Sequence, residues 1–96
     1  MEINSDSEDF YSRFYEQLNL SQKWPGSYLF KFIVKSESSQ LEDIKSFFDQ
    51  KKAEFSEKKS SKNKFTSLSI KVMMHSPTQV IDIYRKSSKL DGIIIL

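Results

Sequence analysis

The segment Ser67-Leu68-Ser69-Ile70-Lys71-Val72-Met73-Met74 has the clearest alternation of side chains in this sequence. Every second residue is apolar, and the residues between them are polar except for Met73. Successive side chains of a strand point to opposite sides, so this pattern predicts a strand that is buried on one face. The buried face is expected to carry Leu68, Ile70, Val72 and Met74.

The residues on either side of this strand predict a hairpin before it and a helix after it. Residues 62–64 form the expected turn, because Asn63 tolerates a positive φ better than most residues with a side chain. The polar residues 54–61 precede this turn and predict an edge strand, where lysines oppose pairing with other molecules. After the strand, Ser76-Pro77-Thr78-Gln79 combines an N-cap serine, an early proline and a capping glutamine, which is typical of a helix start.

The rest of the domain is predicted to supply a strand and a helix before this hairpin and a last strand after its helix. Residues 28–34 are rich in aromatic and β-branched side chains and predict a strand. The capping-box pattern of Ser39 and Glu42 then predicts a helix that lasts to about Ala53. The apolar residues 93–96, which follow a turn at residues 90–92, predict a last strand.

The predicted order is therefore strand, helix, strand, strand, helix, strand. This order indicates an α+β fold of the ferredoxin-like βαββαβ type, a four-stranded antiparallel sheet with two helices on one face. Right-handed crossovers place the first and third strands in the centre. An exposed edge strand of isoleucines would favour association, so we expect the N-terminal segment or a second subunit to cover it.

Residues 1–24 are predicted to be an acidic amphipathic helix with a linker, and residues 25–96 are predicted to be the ferredoxin-like domain. The helix is expected to span about three turns after Ser5 and Glu8, which have the spacing of a capping box. Residues 1–22 carry a net charge of −4 and residues 51–64 a net charge of +4. This complementarity favours docking of the helix on its own domain, although a helix that binds another protein remains an alternative.

The composition excludes several classes of protein. The chain has 96 residues, a net charge of +2, no cysteine and a single histidine. A disulfide framework, a thiolate metal site and a cysteine nucleophile are therefore excluded, as is a site with several histidines in one chain. We expect no metal and no cofactor. The longest apolar run is too short to span a bilayer, and the start of the chain lacks the features of a secretory signal, so a cytoplasmic protein without a membrane partner is expected.

The basic hairpin is the best candidate for binding an anion. Its exposed cations are expected to be Lys58, Lys59, Lys62 and Lys64, which could neutralise the phosphates of a nucleic acid. The alternative is that these lysines only protect an edge strand and keep the protein soluble. RNA-recognition domains of the same strand order stack bases on aromatic side chains of the central strands, whereas the corresponding face here has only Phe65. Nucleic-acid binding is therefore the less favoured hypothesis.

A protein interface is the second candidate site. The sheet face opposite the helices is expected to carry Leu29, Ile33 and Met73 together with Lys31, and the N-terminal helix carries Phe10 and Phe14. These side chains could form a dimer or partner interface. The alternative is a scattered set of surface hydrophobic residues, which is common on monomers.

Catalytic residues are not indicated. His75 follows a strand and has no evident nucleophile beside it, so it is interpreted as a surface residue. The acid pairs Glu42-Asp43 and Glu54/Glu57 occupy positions that are expected to be solvated. We expect the protein not to be an enzyme.

The sequence resembles the YbeD-like family of small bacterial proteins, whose function is uncharacterised. Three features over about residues 24–96 carry the resemblance: Pro25 followed by Tyr28-x-Phe30-Lys31-Phe32; Ser61-Lys62-Asn63-Lys64-Phe65-x-Ser67-x-Ser69; and Val80-x-x-Ile83-Tyr84 before an apolar strand. Asn63 departs from the glycine that is usual in the family, although asparagine can adopt the same left-handed turn.

The resemblance implies a fold like that of the ACT regulatory domain and a non-enzymatic role in regulation or protein interaction, with a protein partner or self-association. Two alternatives remain: binding of RNA or another nucleic acid by the basic hairpin, and sensing of a small molecule at a dimer interface. Amino-acid-binding ACT domains commonly use a glycine in the loop after the first strand. Residues 35–39 contain none, which weakens the last alternative.

Overall fold

The computed structural model describes the backbone of residues 2–60, 62–90 and 92–95, and side chains from Asp9 onward. Seven helices and strands follow one another along this part of the chain: α1 (Glu2–Ser21), β1 (Gly26–Lys35), α2 (Gln40–Lys45), β2 (Glu54–Lys59), β3 (Phe65–Met74), α3 (Pro77–Ser87) and β4 (Ile94–Ile95). From β1 onward, this is the predicted order of the elements.

The four strands form one antiparallel sheet in the order β2-β3-β1-β4. The two central strands, β1 and β3, pair over their full lengths, from Gly26 opposite Met74 to Lys35 opposite Phe65. This is the ferredoxin-like arrangement, and it confirms the predicted fold and the central positions of the first and third strands.

The core lies between this sheet and the helices. Its sheet side is formed by alternate residues of the two central strands, and its helix side by residues of α2, the following turn and α3. These buried side chains are Phe30, Phe32, Val34, Leu68, Ile70, Val72, Met74, Ile44, Phe48, Val80, Ile81, Ile83 and Tyr84. The predicted inner face of residues 67–74 is therefore confirmed.

The second helix is shorter than predicted. It ends at Lys45, and the backbone N–H groups of Phe47 and Phe48 donate to the carbonyl groups three residues earlier. Such bonds tighten the last turn of a helix. The Gln50 side chain also donates to the Lys45 carbonyl, 2.6 Å away. The turn places the Phe48 ring against Phe30, with centroids 5.1 Å apart, so burial of Phe48 accompanies the early end of the helix.

The capping predictions were partly wrong. Neither Ser39 nor Ser76 makes a side-chain hydrogen bond at its helix start. Gln79 instead accepts a hydrogen bond from the backbone N–H of His75, at 2.8 Å. The first helix begins at Glu2, before the predicted capping residue Ser5, and spans 20 residues rather than about three turns.

The turns and the last strand agree in part with the sequence. Asn63 has a φ of 56°, which confirms its left-handed turn. Ser61 of the hairpin motif, Asp91 of the last predicted turn and Leu96 at the end of the last predicted strand lie outside the described residues. Of the predicted strand 93–96, only Ile94–Ile95 is described as a strand, pairing with Ile33 and Phe32 of β1.

Candidate surfaces and family relationship

One face of the sheet has no helix packed on it in the described part of the chain, and we call it the open face. The strand register places its residues in rows across the sheet. They are Glu54, Ser56 and Lys58 of β2; Phe65, Ser67, Ser69, Lys71 and Met73 of β3; Ser27, Leu29, Lys31, Ile33 and Lys35 of β1; and Ile94 of β4. Four of these residues are lysines and one is a glutamate, so this face is basic.

The four lysines of the basic hairpin do not share one face. Lys58 lies on the open face opposite Ser67, whereas Lys59 is opposite the buried Thr66 on the other side of the sheet. Lys62 and Lys64 flank Asn63 in the turn. All four are exposed, and the ion pairs described for this structure involve other cations.

The hairpin turn is held by Ser60. Its hydroxyl accepts hydrogen bonds from the backbone N–H groups of Lys64 and Phe65, each at 3.2 Å. Its own N–H donates to the Phe65 carbonyl at 2.8 Å. Several local hydrogen bonds therefore stabilise the backbone of the turn that carries these lysines.

The predicted interface residues of the sheet all lie on the open face, but they do not form one apolar patch. Leu29 and Met73 lie near one end and are exposed. Ile33 lies towards the other end, beside the exposed Ile94. Lys31 lies between the two ends, opposite Ser69. The open face therefore has two apolar ends with a polar, basic middle.

Phe65 has a more prominent place on this face than the sequence indicated. Its side chain is 43 % exposed and lines a depression of about 520 Å³ at the Ile33 end of the open face. The signal in the sequence was present, because Phe65 begins the alternating segment. Its neighbours across the sheet, however, depend on the pairing of all four strands.

A second concave surface lies between α1, α3 and β4, and we call it the aromatic groove. It has a volume of about 390 Å³ and is lined by Phe10, Tyr11, Phe14, Tyr28, Tyr84, Ser88 and Ile95. The Phe14 and Tyr84 rings lie 5.4 Å apart, so Phe14 packs within its own chain. Phe10 is 55 % exposed and remains accessible.

Two tyrosine hydroxyls meet in this groove. The Tyr28 and Tyr84 oxygens lie 3.3 Å apart and share a hydrogen bond. Burial raises the pKa of Tyr84 above its ordinary value, and the hydrogen bond with Tyr28 raises it further. Tyr84 therefore stays protonated at neutral pH, where it is a hydrogen-bonding group and not a nucleophile.

Helix α1 docks on its own domain, and its described contacts are aromatic. It packs on α3 through the Phe14 and Tyr84 rings and through Arg85, whose guanidinium lies 4.2 Å from the centroid of the Tyr11 ring. None of the ion pairs described for this structure joins α1 to the basic residues 51–64. Aromatic packing and the contact of Arg85 with Tyr11 therefore hold the described part of the helix on α3.

The histidine and the acid pairs lie apart from one another. His75 is exposed at the end of β3, and Glu57 contacts Lys45 of α2. Glu42 and Asp43 are exposed on α2, and Glu54 lies on the open face. Within the described residues, no group of three or more histidine, aspartate or glutamate side chains could hold a metal ion.

The loop after β1 turns without a glycine. Glu37 adopts a φ of 62° there, and the Ser36 hydroxyl shares a hydrogen bond of 2.9 Å with Thr66.

Among the described helices, none has the length and apolar character needed to cross a membrane. The cytoplasmic location stays a prediction.

Comparisons with known proteins identify the family and support the fold. A family model described as "Protein of unknown function (DUF493)" matches residues 20–96. No curated protein matches the chain.

Two solution structures of the protein HP0495 from Helicobacter pylori are similar to this chain. One has 19 % sequence identity and a TM-score of 0.60, and the match covers 78 % of this chain and 85 % of the other. The second has 21 % identity and a TM-score of 0.55, and covers 76 % and 87 % of the two chains. These likenesses show a shared fold. Because the family match extends over most of the chain, the protein belongs to the DUF493 family, of which the YbeD-like proteins are members.

Proposed function

We propose that this protein is a non-enzymatic interaction module of the regulatory, ACT-like type, which acts by contacting proteins, other copies of itself included. The observation that carries the proposal is the aromatic groove beside the edge strand β4. Grooves lined by aromatic side chains are common sites for protein segments, because rings bury a large area at a small entropic cost.

The edge strand supplies the second part of the proposed surface. In the described sheet β4 pairs with β1 only, so its other edge is not paired with a strand. Ile94 is exposed on the open face, whereas Ile95 lines the aromatic groove on the other side. An unpaired edge with apolar side chains is a template for another strand. Two copies joined at this edge would form a continuous sheet with twofold symmetry.

The charge of the open face argues against a symmetric dimer that stacks two open faces. Such a dimer would oppose the lysines of one copy to those of the other. Like charges in a desolvated interface are destabilising, so this arrangement is unfavourable. The edge and the aromatic groove are therefore the preferred surface for self-association.

Light scattering coupled to size exclusion tests this proposal over a range of protein concentrations. We expect dimers of the unmodified protein, and we expect Phe10→Ser and Ile94→Thr each to shift the equilibrium towards monomers by removing exposed apolar area. Leu20→Ser is the matched control, because Leu20 is 85 % exposed at the far end of α1 from Phe10. A protein that stays monomeric at high concentration and retains no partner in pull-down experiments would contradict the proposal.

Nucleic-acid binding is the second candidate function, and the exposed lysines of the hairpin and the open face favour it. A salt titration of oligonucleotide binding tests this function, because neutralised phosphates release counterions and make affinity fall with salt. Absence of binding at low salt would exclude it.

A further inference from the structure

We infer that the depression beside Phe65 is a binding site for one unpaired base of a single-stranded nucleic acid, with the lysines around it contacting phosphates. This inference rests on the second candidate function and assigns a position and a mode of recognition to it. It shares Ile94 of β4 with the proposed protein contact but uses no residue of the aromatic groove.

The strand register brings an aromatic ring, aliphatic side chains and cations together at this end of the open face. Ile33 lies between Ser67 of β3 and Ile94 of β4, and Ser67 in turn lies opposite Lys58. These four residues line the depression together with Phe65 and Lys59. Apolar side chains thus lie on the same face of the sheet as Lys58, and Lys59, whose side of the strand is the other one, lines the rim of the depression. A ligand for this site needs a flat, apolar body and a negative charge beside it.

The cations continue beyond the depression. Lys31 and Lys35 lie on the same face of β1, four residues apart, which is about 13 Å along the strand. A stacked single strand advances about 3.4 Å per nucleotide, so these two lysines span about four nucleotides. This length is at the lower end of the site sizes of single-strand-binding OB folds, about 4–16 nucleotides. Lys71, in a neighbouring row, extends the basic surface further.

The ion pairs described for this structure leave these lysines without carboxylate partners. Glu54 is the only acidic residue of the open face as the register defines it, and it lies opposite Lys71, away from Phe65. Charge complementarity therefore favours an anionic ligand. An acidic peptide would supply carboxylates to the lysines, but its acidic residues have no flat ring that could stack on Phe65. A nucleotide supplies both groups.

The nucleic acid must be single-stranded for this mode of binding. A base inside a duplex has both its faces covered, whereas an unpaired base can stack on an aromatic side chain. RNA-recognition domains stack bases on aromatic residues of the central strands, whereas the central strands here have only Phe65 on the open face. A single ring can hold only one base, so we expect weak, salt-dependent binding with little sequence preference.

The test measures the binding of a fluorescently labelled oligouridylate and of the corresponding DNA by anisotropy in a salt titration. We expect Phe65→Leu to weaken binding about tenfold, the effect of losing one stacked base, without changing the slope against salt. Phe65→Tyr keeps the ring and should keep the affinity. Tyr15→Leu is the control, because Tyr15 is an equally exposed aromatic residue on α1.

The lysines are tested by the double variant Lys58→Ala/Lys59→Ala. It should lower the slope of log affinity against log salt by about 0.7 for each phosphate contact that is lost. The matched control is Lys51→Ala/Lys52→Ala, an adjacent pair of exposed lysines in the turn that precedes β2, at the other end of the strand from Lys58. Circular dichroism spectra of all variants check that the fold is kept.

Four outcomes would overturn the inference, and they have different meanings. Absence of binding at low salt removes the second candidate function as well. Binding that Phe65→Leu leaves unchanged shows that the lysines bind nucleic acid without the base site. Equal affinity for a duplex excludes the stacked, unpaired base. Equal competition by polyglutamate identifies a site that recognises only negative charge.

Discussion

Glu37 and Asn63 both have backbone angles in the left-handed region, with φ values of 62° and 56°. An asparagine side chain can compensate for this conformation by local hydrogen bonds, whereas a glutamate side chain gains little there. Asn63 was predicted because it lies in a recognisable hairpin turn. Glu37 lies in a loop of serines without a turn signature, so the sequence gives no sign of its conformation.

We expect Glu37→Gly to raise the free energy of unfolding by about 0.5–1 kcal/mol. A left-handed conformation costs a residue with a Cβ atom about 1–2 kcal/mol, and part of this gain is lost to the greater freedom of glycine in the unfolded chain. Chemical denaturation measures the change. The same substitution at Glu42, in helix α2, should lower the free energy of unfolding by about 0.5–1 kcal/mol. If both variants changed the free energy of unfolding in the same direction, this explanation would be wrong.

At the scale of the elements, the two central strands were predicted well, as was the start of α2, whereas the end of α2 was not. Burial of one face and solvation of the other impose alternation on β3, so its sequence contains the information. The end of α2 depends on Phe48, which leaves the helical path to pack against Phe30 on another element. A local pattern cannot specify this contact, because it arises only when the sheet is assembled.

Helix α2 is six residues long, and its Lys45 contacts β2 through an ion pair with Glu57. We expect Glu57→Gln to lower the free energy of unfolding by about 0.5–1 kcal/mol and to reduce the dependence of stability on salt, since screening weakens such pairs. Chemical denaturation at low and high salt measures both effects.

Glu54→Gln is the control for this ion pair. Glu54 is on the same strand but on the open face, where it forms no ion pair in the described structure. Its replacement should change stability by less than about 0.5 kcal/mol. If the two variants were equally destabilised, the loss would reflect the charge of the strand rather than the contact with Lys45.

At the scale of the whole molecule, the position of α1 determines whether the aromatic groove is formed. The net charges of residues 1–22 and 51–64 favoured docking of this helix on its own domain, and its described contacts are with α3. Attraction between exposed charges is weak and screened in water, whereas burial of aromatic and aliphatic side chains is stronger and local. The sequence shows the apolar residues of α1. It does not show that α3 presents Tyr84 and Arg85 to them.

The aromatic groove could not be predicted from the sequence alone, because it too depends on contacts between distant elements. Its lining comes from α1, β1, α3 and β4, which are separated along the chain. Phe10 and Phe14 were identified as candidates, but their partners Tyr28 and Ile95 follow from the topology. The open face was better predicted, because alternation in β1 and β3 assigns Leu29, Lys31, Ile33 and Met73 to one side of the sheet.

The docking of α1 is tested by a pair of leucines on this helix. Leu18 is 4 % exposed, and its carbonyl accepts a hydrogen bond of 2.9 Å from the indole N–H of Trp24. Leu18→Ala should lower the free energy of unfolding by about 2–3 kcal/mol, because it leaves a cavity under the helix. The exposed Leu20 is the control, and Leu20→Ala should change stability by less than about 0.5 kcal/mol.

The chain has one tryptophan, so the fluorescence of Trp24 during denaturation reports on the region where α1 ends. A single transition by fluorescence and circular dichroism is expected if the helix and the domain unfold together. If Leu18→Ala had no effect, α1 would be detached in solution. Phe10 and Phe14 would then no longer form a wall of the aromatic groove, and the proposed protein contact would keep only the edge of β4. The base site at Phe65 would remain, because it is formed entirely by the sheet and its hairpin.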